Sequence, residues 1–313
     1  MSSLNTNISA MTALQSLNAT NAALETTQKR ISTGLKVGSA EDNAAYWSIA
    51  TTMRSDNSAR ATVKDALGLG AATIDVAYTA TNSSIDVAKE IKNKLVAARQ
   101  PGVDRTKIQA EVTELQNQLK SISDSSVFSG QNWLSTDSSL AGYNASKSIV
   151  ASFTRSATGA ISIGTIVVNT ANTKLYDAGA GATQVGILDG LRDATGAIAA
   201  AGTSVAAVNI SALTDSAADL TTLETYISGA DKAISEMTSS ASTLGATKQR
   251  INLQKNFMEA LMDAVDRGIS TLVDADMTEE STKLQALQVQ QQLGVQSLSI
   301  ANQQGQSILS LFR

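Results

Sequence analysis

The densest group of side chains that could do chemistry is the acidic segment at residues 274–280, Asp-Ala-Asp-Met-Thr-Glu-Glu. Alternating carboxylates are hard oxygen ligands of the kind that Ca²⁺ prefers. A calcium loop needs glycine at its sixth position and glutamate at its twelfth, where this chain has Glu279 and Gln285. The spacing instead favours Asp276 as the N-cap of a new helix, with Glu279 completing a capping box.

A second candidate is the glycine pair Gly68 and Gly70, which could belong to a nucleotide-binding loop. The third glycine of that motif is missing, and no predicted strand precedes the pair. We therefore interpret both glycines as close-packing positions inside a helix.

Composition excludes most other site chemistry. The 313 residues include no His and no Cys, which rules out Ser-His-Asp triads, cysteine nucleophiles, His or Cys zinc sites and disulfides. A net charge of -4 argues against nucleic-acid binding, because phosphate neutralisation needs a basic surface. The uncharged run at residues 194–214 is too rich in Ala, Gly, Ser and Thr to span a membrane. We expect no enzyme, no cofactor, no metal and no membrane segment.

The element that organises the chain is one long predicted helix at residues 220–272. Its apolar positions alternate at spacings of three and four for seven heptads, which predicts a continuous seam along a helix ~80 Å long. Only two of the sixteen seam positions are charged: Leu220, Leu223, Ile227, Ala230, Ile234, Met237, Ala241, Leu244, Lys248, Ile251, Lys255, Met258, Met262, Val265, Ile269 and Leu272. Such a helix cannot cover its own seam, so other helices must lie along it.

The N-terminal part predicts three further helices. The first carries a heptad from Leu14 to Leu35, with amides at Asn21 and Gln28 that should fix its register against a partner, and Gly34 should end it. Beyond Gly34, we predict that Ser39 is the N-cap of the second helix.

The next two helices are separated by one break. The second helix should run from about Asn43 to Arg99, where Gln-Pro-Gly at residues 100–102 stops it. The third helix should start at Asp104, and the short connection predicts that it packs antiparallel to the second.

A central insert follows, rich in Gly, Ser, Thr and Asn. Two runs of alternating apolar residues, at 149–153 and 161–167, flank Thr158 and Gly159 and predict a β-hairpin. We expect Thr203, later in the insert, to have no part in the helical seam.

Both ends of the chain are free of charge, at residues 1–24 and 284–312. The first of these lacks the basic segment of a cleavable signal peptide. Apolar residues on more than one side of the last predicted helix should contact more than one neighbour, including other copies of the chain. Physical reasoning alone leaves a helical filament and a closed bundle equally open.

Two motifs resemble the terminal regions of bacterial flagellin. They are KRISTGLKVGSAEDNAA at residues 29–45 and ANQQGQSILSLFR at residues 301–313. The Tyr46-Trp47 pair is similar to flagellins of the alpha-proteobacterial, rhizobial type. The resemblance covers about residues 1–135 and 220–313. It implies a mainly α fold: an elongated antiparallel coiled-coil bundle with paired terminal helices and a small β-containing insert.

The resemblance also implies a function and partners. A flagellin is a structural subunit that polymerises into the filament for swimming, is secreted unfolded through the flagellar type III apparatus, and becomes part of the extracellular flagellum. Its partners are other flagellin subunits, an export chaperone at the C-terminal region, and the filament cap and hook-junction proteins. In flagellins detected by a vertebrate innate receptor, a basic residue recurs at the position of Ile91, so we do not expect that recognition here.

A domain plan follows from the same resemblance. Residues 1–38 and 274–313 would form the inner-tube domain, 39–135 and 216–273 the outer-tube domain, and 136–215 the solvent-facing insert. Inter-subunit packing would use Leu14, Leu17, Leu24, Ile31, Leu35, Leu287, Leu293, Leu298, Ile308, Leu311 and Phe312. The outer-tube core would contain Leu67, Ile74, Ile85, Leu115, Ile234, Leu244, Ile251 and Val265.

Two other classes of protein share some of these features. A hook-filament junction protein has flagellin-like ends and is the main alternative. A chemoreceptor-type signalling rod would carry transmembrane helices and charged methylation helices, and the sequence predicts neither.

Overall fold

A computed structural model describes residues 7–179 and 186–310, with the backbone alone for 304–310. The chain forms two compact units, one from residues up to 58 together with those from 262 onward, the other from 59–261. The prediction of a mainly α fold is confirmed. The described helices are α1 Ile8–Thr33, α2 Ala44–Ala97, α3 Arg105–Ser125, α4 Ala217–Val273 and α5 Met277–Ser310; the described strands are β1 Val127–Phe128, β2 Gln131–Asn132, β3 Ser135–Thr136, β4 Ser146–Arg155, β5 Ile161–Asn169 and β6 Tyr176–Asp177.

Helix ends follow local capping chemistry. Gly34 ends α1 in the left-handed region at φ 71°, and the carboxylate of Asp104 caps α3, so both predictions are confirmed. The prediction for Ser39 is wrong. The side chain of Asn43 caps α2 by accepting from the N–H of Tyr46 at 3.1 Å, while Ser39 donates its own N–H to Asp42.

In the unit formed by 59–261, α2 and α4 run antiparallel in one constant register. Four ion pairs join them, and the two residue numbers of every pair have the same sum: Lys64–Glu259, Asp75–Lys248, Lys92–Asp231 and Arg99–Glu224. Helix α3 folds back along α2 as predicted. Lys94 of α2 forms an ion pair with Glu111 of α3, and the Arg105 side chain donates a hydrogen bond to the carbonyl of Ala98.

The core of this unit lies along the predicted seam of α4. A fully buried residue recurs every seven positions along α4, at Leu223, Ala230, Met237, Leu244, Ile251 and Met258. The same apolar cluster contains Leu67, Ile74 and Leu95 of α2 together with Val112 and Leu119 of α3. The seam is therefore covered within one chain along this unit.

The predicted hairpin is present as β4 and β5, paired antiparallel. Its inward side chains include Ile149 on β4, which lies against Gly70 of α2, and the carbonyl of Ala151 accepts from Gln254 of α4. The close-packing prediction holds for Gly70 and is wrong for Gly68, because a Cβ at Gly68 would have no neighbour within 4 Å. On β5 the buried residues are Ile166 and Val168, so the predicted alternation of 161–167 faces outward.

The rest of the insert also packs into this core. Leu175, Leu188, Val205 and Ile210 are buried in the cluster that contains the α2 and α4 seam residues. The N–H of Thr203 donates to the carbonyl of Arg192, whose side chain reaches α4. The prediction that this part of the insert stays apart from the seam is wrong.

In the other unit, α1 and α5 form an antiparallel pair. The side chain of Asn7 donates to the carbonyl of Ala301 at 2.9 Å, and Gln291 donates to Asn21 at 2.8 Å. At the opposite end Leu35 and Asp274 form an isolated antiparallel bridge. The predicted pairing of the terminal helices is confirmed, and Asn21 fixes the register as expected. A small apolar cluster of Val37, Ala50, Ile269 and Val273 lies where α1 is followed by α2 and α4 is followed by α5.

Candidate self-assembly surface

One side of the α1–α5 pair is covered by contact between the two helices. Leu17 lies against Gly294, where an added Cβ would be 3.2 Å from its Cδ1 atom. Thr27 is 1% exposed, and the buried Glu280 carboxylate accepts a 3.0 Å hydrogen bond from Arg30. A charge-assisted contact with a buried carboxylate holds the orientation of the pair more firmly than a solvated ion pair would.

Outside this contact the pair exposes apolar side chains. Seven large side chains there are between 47% and 63% exposed: Ile8, Met11 and Leu14 on α1, and Val289, Leu293, Val295 and Ile300 on α5. The uncharged segments 1–24 and 284–312 contain all seven. Large apolar side chains left in water at this density mark a protein–protein contact rather than a solvated face.

The residues predicted for inter-subunit packing fall on both sides of the pair. Leu14 and Leu293 are exposed, and Leu287 is buried. Leu17, Leu24, Ile31, Leu35 and Leu298 are partly covered. The side chain of Ile308, and Leu311 and Phe312 as a whole, lie outside the described residues.

The residues predicted for the outer-tube core also separate into groups. Leu67, Ile74, Ile85, Leu244 and Ile251 are buried in the large cluster, and the partly buried Leu115 and Ile234 pack against it. Val265 instead packs against the small cluster at Val37, Ala50, Ile269 and Val273, in the other unit.

Sequence reasoning missed Ile8, Met11, Val295 and the exposed group Tyr46, Trp47 and Ile49. The signal that could have found them is the absence of charge, which extends over residues 1–24, 43–53 and 284–312. Heptad analysis ranks residues by their fit to a seam, so it overlooks apolar residues that point away from it.

The acidic segment 274–280 acts as a helix cap. The Asp276 carboxylate accepts hydrogen bonds from the N–H groups of Thr278 at 2.8 Å and Glu279 at 3.3 Å, which confirms the N-cap prediction. These backbone donors lower the pKa of Asp276 below its ordinary value of 3.8, because they stabilise the ionised form.

A membrane-spanning helix must be both long and strongly apolar. Across the described residues, none combines the length and hydropathy that a membrane span needs.

Comparison with known proteins matches both terminal regions. The model of the bacterial flagellin N-terminal helical region matches residues 4–139, and that of the C-terminal helical region matches residues 227–312. The matched ranges contain α1 to α3, most of α4 and α5, which carry the seam and the exposed apolar residues described above.

Full-length relatives agree with these matches. The chain is 51% identical to Flagellin C and 42% identical to Flagellin A of Rhizobium meliloti (strain 1021), and 42% identical to a flagellin of Brucella melitensis biotype 1. Each alignment covers all of this chain and all of the relative. The chain therefore belongs to the bacterial flagellin family, whose members are the structural subunits of the extracellular flagellar filament.

Proposed function

We propose that the exposed apolar side of the α1–α5 pair is the surface through which copies of this flagellin pack in the filament. The observation that carries this proposal is that pairing of the two helices covers only one side and leaves seven large apolar side chains in water. In the domain plan, this pair is the inner-tube domain, α2 to α4 are the outer tube, and 136–215 is the insert.

The energetic argument is one of apolar burial. Each large aliphatic side chain that passes from water into a packed interface contributes about 1.5–3 kcal/mol. Several such side chains per copy supply a driving force that can exceed the entropy lost on association. Because the covered side is already used within the chain, the exposed side is free to contact neighbours.

The composition of the chain and the exposed apolar residues of α5 also suit export. We propose that the chain passes unfolded through the flagellar type III apparatus, with a chaperone bound at the C-terminal region and cap and hook-junction proteins as later partners. The absence of Cys supports this route, because no disulfide can lock the chain before passage. The exposed apolar residues of α5 give a chaperone a surface to cover before assembly. The junction-protein alternative is not favoured, since the full-length relatives are flagellins.

The test compares two leucine-to-aspartate variants. Leu293→Asp places a charge on the exposed side of α5, where Leu293 is 59% exposed, and Leu140→Asp makes the same change at a 64% exposed position in the insert. Purified filaments would be dissociated by heat, cooled, and examined by sedimentation and electron microscopy.

We expect Leu293→Asp to remain monomeric with an unchanged circular dichroism spectrum, because a carboxylate in a dry interface costs several kcal/mol. Leu140→Asp should polymerise like wild type. Normal filaments from Leu293→Asp would remove this side of α5 from the assembly surface.

A further inference from the structure

A buried group of charged side chains lies in the insert, where β6 pairs with β3. The ammonium of Lys174 forms an ion pair with the Asp177 carboxylate, and these two side chains are 3% and 0% exposed. The other carboxylate oxygen of Asp177 accepts hydrogen bonds from the N–H groups of Ser138 at 2.8 Å and Gly179 at 3.0 Å. Burial alone would raise the pKa of Asp177, but these bonds outweigh burial and hold its pKa below 3.8. Asp177 therefore keeps its negative charge.

Asp189 brings a second carboxylate to this group with far fewer partners. Its Oδ2 atom accepts a 2.6 Å hydrogen bond from the N–H of Asp177. Its Oδ1 atom is buried, and no hydrogen-bond partner for it lies among the residues that the structure describes. Burial, and to a smaller extent the charge of Asp177, raises the pKa of Asp189 above 3.8. Ionised Asp189 is thus both poorly solvated and repelled by its neighbour, and a proton on Asp189 removes both costs.

The aromatic side of the group supplies no counter-charge. Burial, followed by the charges of Asp189 and Asp124, raises the pKa of the Tyr176 phenol, which therefore stays neutral. Lys120 of α3 lies 5.2 Å from the centre of the Tyr176 ring, but its ammonium pairs with Asp124 on the same helix.

The other nearby cations are also engaged. Arg192, in the same loop as Asp189, pairs with Glu236 of α4, and Lys174 pairs with Asp177. When Lys174, Asp177 and Asp189 are all ionised, the three side chains sum to one net negative charge. A proton on Asp189 makes the group neutral.

The segment that contains Asp189 seals the insert onto the helical core. The N–H of Ile187 donates to the carbonyl of Lys174 at 3.0 Å, and that of Leu188 donates to the carbonyl of Leu175 at 2.9 Å. Leu175 and Leu188 are fully buried in the large apolar cluster. Separation of these two segments would expose core side chains, so the charge of Asp189 acts on the closure of the insert.

We infer that Asp189 takes up a proton in mild acid and thereby closes the insert more tightly on the helical core than at neutral pH. The inference does not depend on the proposed assembly surface, which lies on α1 and α5.

The sign follows from linkage between proton binding and folding. A folded state that raises the pKa of a carboxyl binds the proton more tightly than the unfolded chain does. The stabilising contribution of Asp189 is therefore complete below pH 3.8 and is lost as pH rises through the higher pKa of the folded chain. Asp177 has the opposite sign: its contribution is present above pH 3.8 and is lost as pH falls below that value.

Amide hydrogen exchange at Ile187 and Leu188 tests the closure, because it measures local opening of this segment. Asp189→Asn keeps an oxygen that can accept from the N–H of Asp177 and carries no charge at any pH. Protection, corrected for the intrinsic exchange rate at each pH, would be compared in full-length wild type and variant. We expect several-fold greater protection in Asp189→Asn at neutral pH, and a difference that vanishes in mild acid. Equal protection at neutral pH would overturn the inference.

Asp193→Asn is the matched control from the same loop. The side chain and the N–H of Thr195 donate to the Asp193 carboxylate and lower its pKa, so this variant should reduce protection at neutral pH. If both variants raise protection alike, the effect is a general one of removing charge, and the inference fails.

A direct titration of wild type decides the question if Asp189→Asn folds poorly. The carboxyl carbon of Asp189 would be followed by NMR as pH is lowered. We expect its midpoint above 3.8, and a midpoint at or below that value would overturn the inference.

Discussion

Arg192 in the central insert donates a 2.7 Å hydrogen bond to the Glu236 carboxylate on α4. Its guanidinium also donates to the carbonyls of Ile187 at 2.6 Å and Gly196 at 2.8 Å, and the residue is only 1% exposed. One buried cation therefore joins two loops of the insert to the long helix. The insert is fixed to the helical core by this contact as well as by its buried apolar residues.

Removal of the Glu236 carboxylate should destabilise the protein. In Glu236→Ala the buried guanidinium keeps its two carbonyl acceptors but loses its charged partner, so we expect a loss of about 1.5–3 kcal/mol in the free energy of unfolding. The control is Glu224→Ala, whose partner Arg99 is half exposed, and which should cost about 0–1 kcal/mol. Urea unfolding of both variants provides the comparison. Equal losses in the free energy of unfolding would show that the Arg192–Glu236 pair stabilises the protein no more than the exposed Arg99–Glu224 pair.

The anchoring of the insert was not predictable from sequence. Periodicity identifies helices and the hairpin, because apolar spacing reports local structure directly. Arg192 and Glu236 lie 44 residues apart with no pattern that connects them. The insert also lacks long apolar runs, and its buried apolar residues come in short groups such as Leu175-Tyr176 and Ile187-Leu188. Their burial depends on loop geometry that only the fold defines.

Replacing the two glycines of α2 by alanine should change the stability of the protein in opposite directions. A Cβ at Gly70 would lie 2.5 Å from Cγ2 of Ile149, so Gly70→Ala should cost about 1–3 kcal/mol through overpacking. A Cβ at Gly68 would meet nothing within 4 Å, so Gly68→Ala should stabilise α2 by about 0.5–1 kcal/mol. Thermal melts of the two variants measure the contrast.

A double variant checks the cause of the Gly70 effect. Ile149→Ala removes the atoms that an alanine at position 70 would meet, so Gly70→Ala should cost less in that background than alone. Strict additivity of the two changes would show that Ile149 is not the obstacle.

The pairing of α1 with α5 was predictable in outline and not in detail. The heptad and the amide at Asn21 predict a partnered helix with a fixed register, and Gln291 supplies the partner amide. Sequence divides the apolar residues of the last helix between two sides but does not show which side faces α1. The spacing places Leu287 and Leu293 on different sides of α5, and only Leu287 is buried, because a two-helix pair covers a narrow stripe of each helix.

The Asp276 cap should give α5 a pH dependence in acid. Backbone hydrogen bonds lower the pKa of Asp276 in the folded chain, so its contribution to stability is present above its ordinary pKa of 3.8 and is lost as pH falls below that value. Asp276→Asn keeps a capping oxygen that does not titrate. The difference in unfolding midpoint between wild type and Asp276→Asn should therefore change between about pH 5 and pH 3. The exposed Asp274 gives the control variant Asp274→Asn, and an identical pH profile for both variants would refute the cap as the source.

The last prediction concerns the seam of α4. Leu244 is 1% exposed and packs in the cluster with Ile74 and Leu119, so Leu244→Ala should leave a cavity and cost about 2–5 kcal/mol in the monomer.

Thr203 is unsuitable as a control, because its backbone pairs with Arg192. Leu293→Ala makes the same truncation at an exposed site and should change monomer stability by at most about 0.5 kcal/mol. Thermal melts of purified monomers compare the two variants with wild type. Under the proposed export of an unfolded chain, Leu244→Ala should leave export unaffected. A wild-type melting temperature for Leu244→Ala would show that the seam does not stabilise the monomer and gains its cover only on assembly.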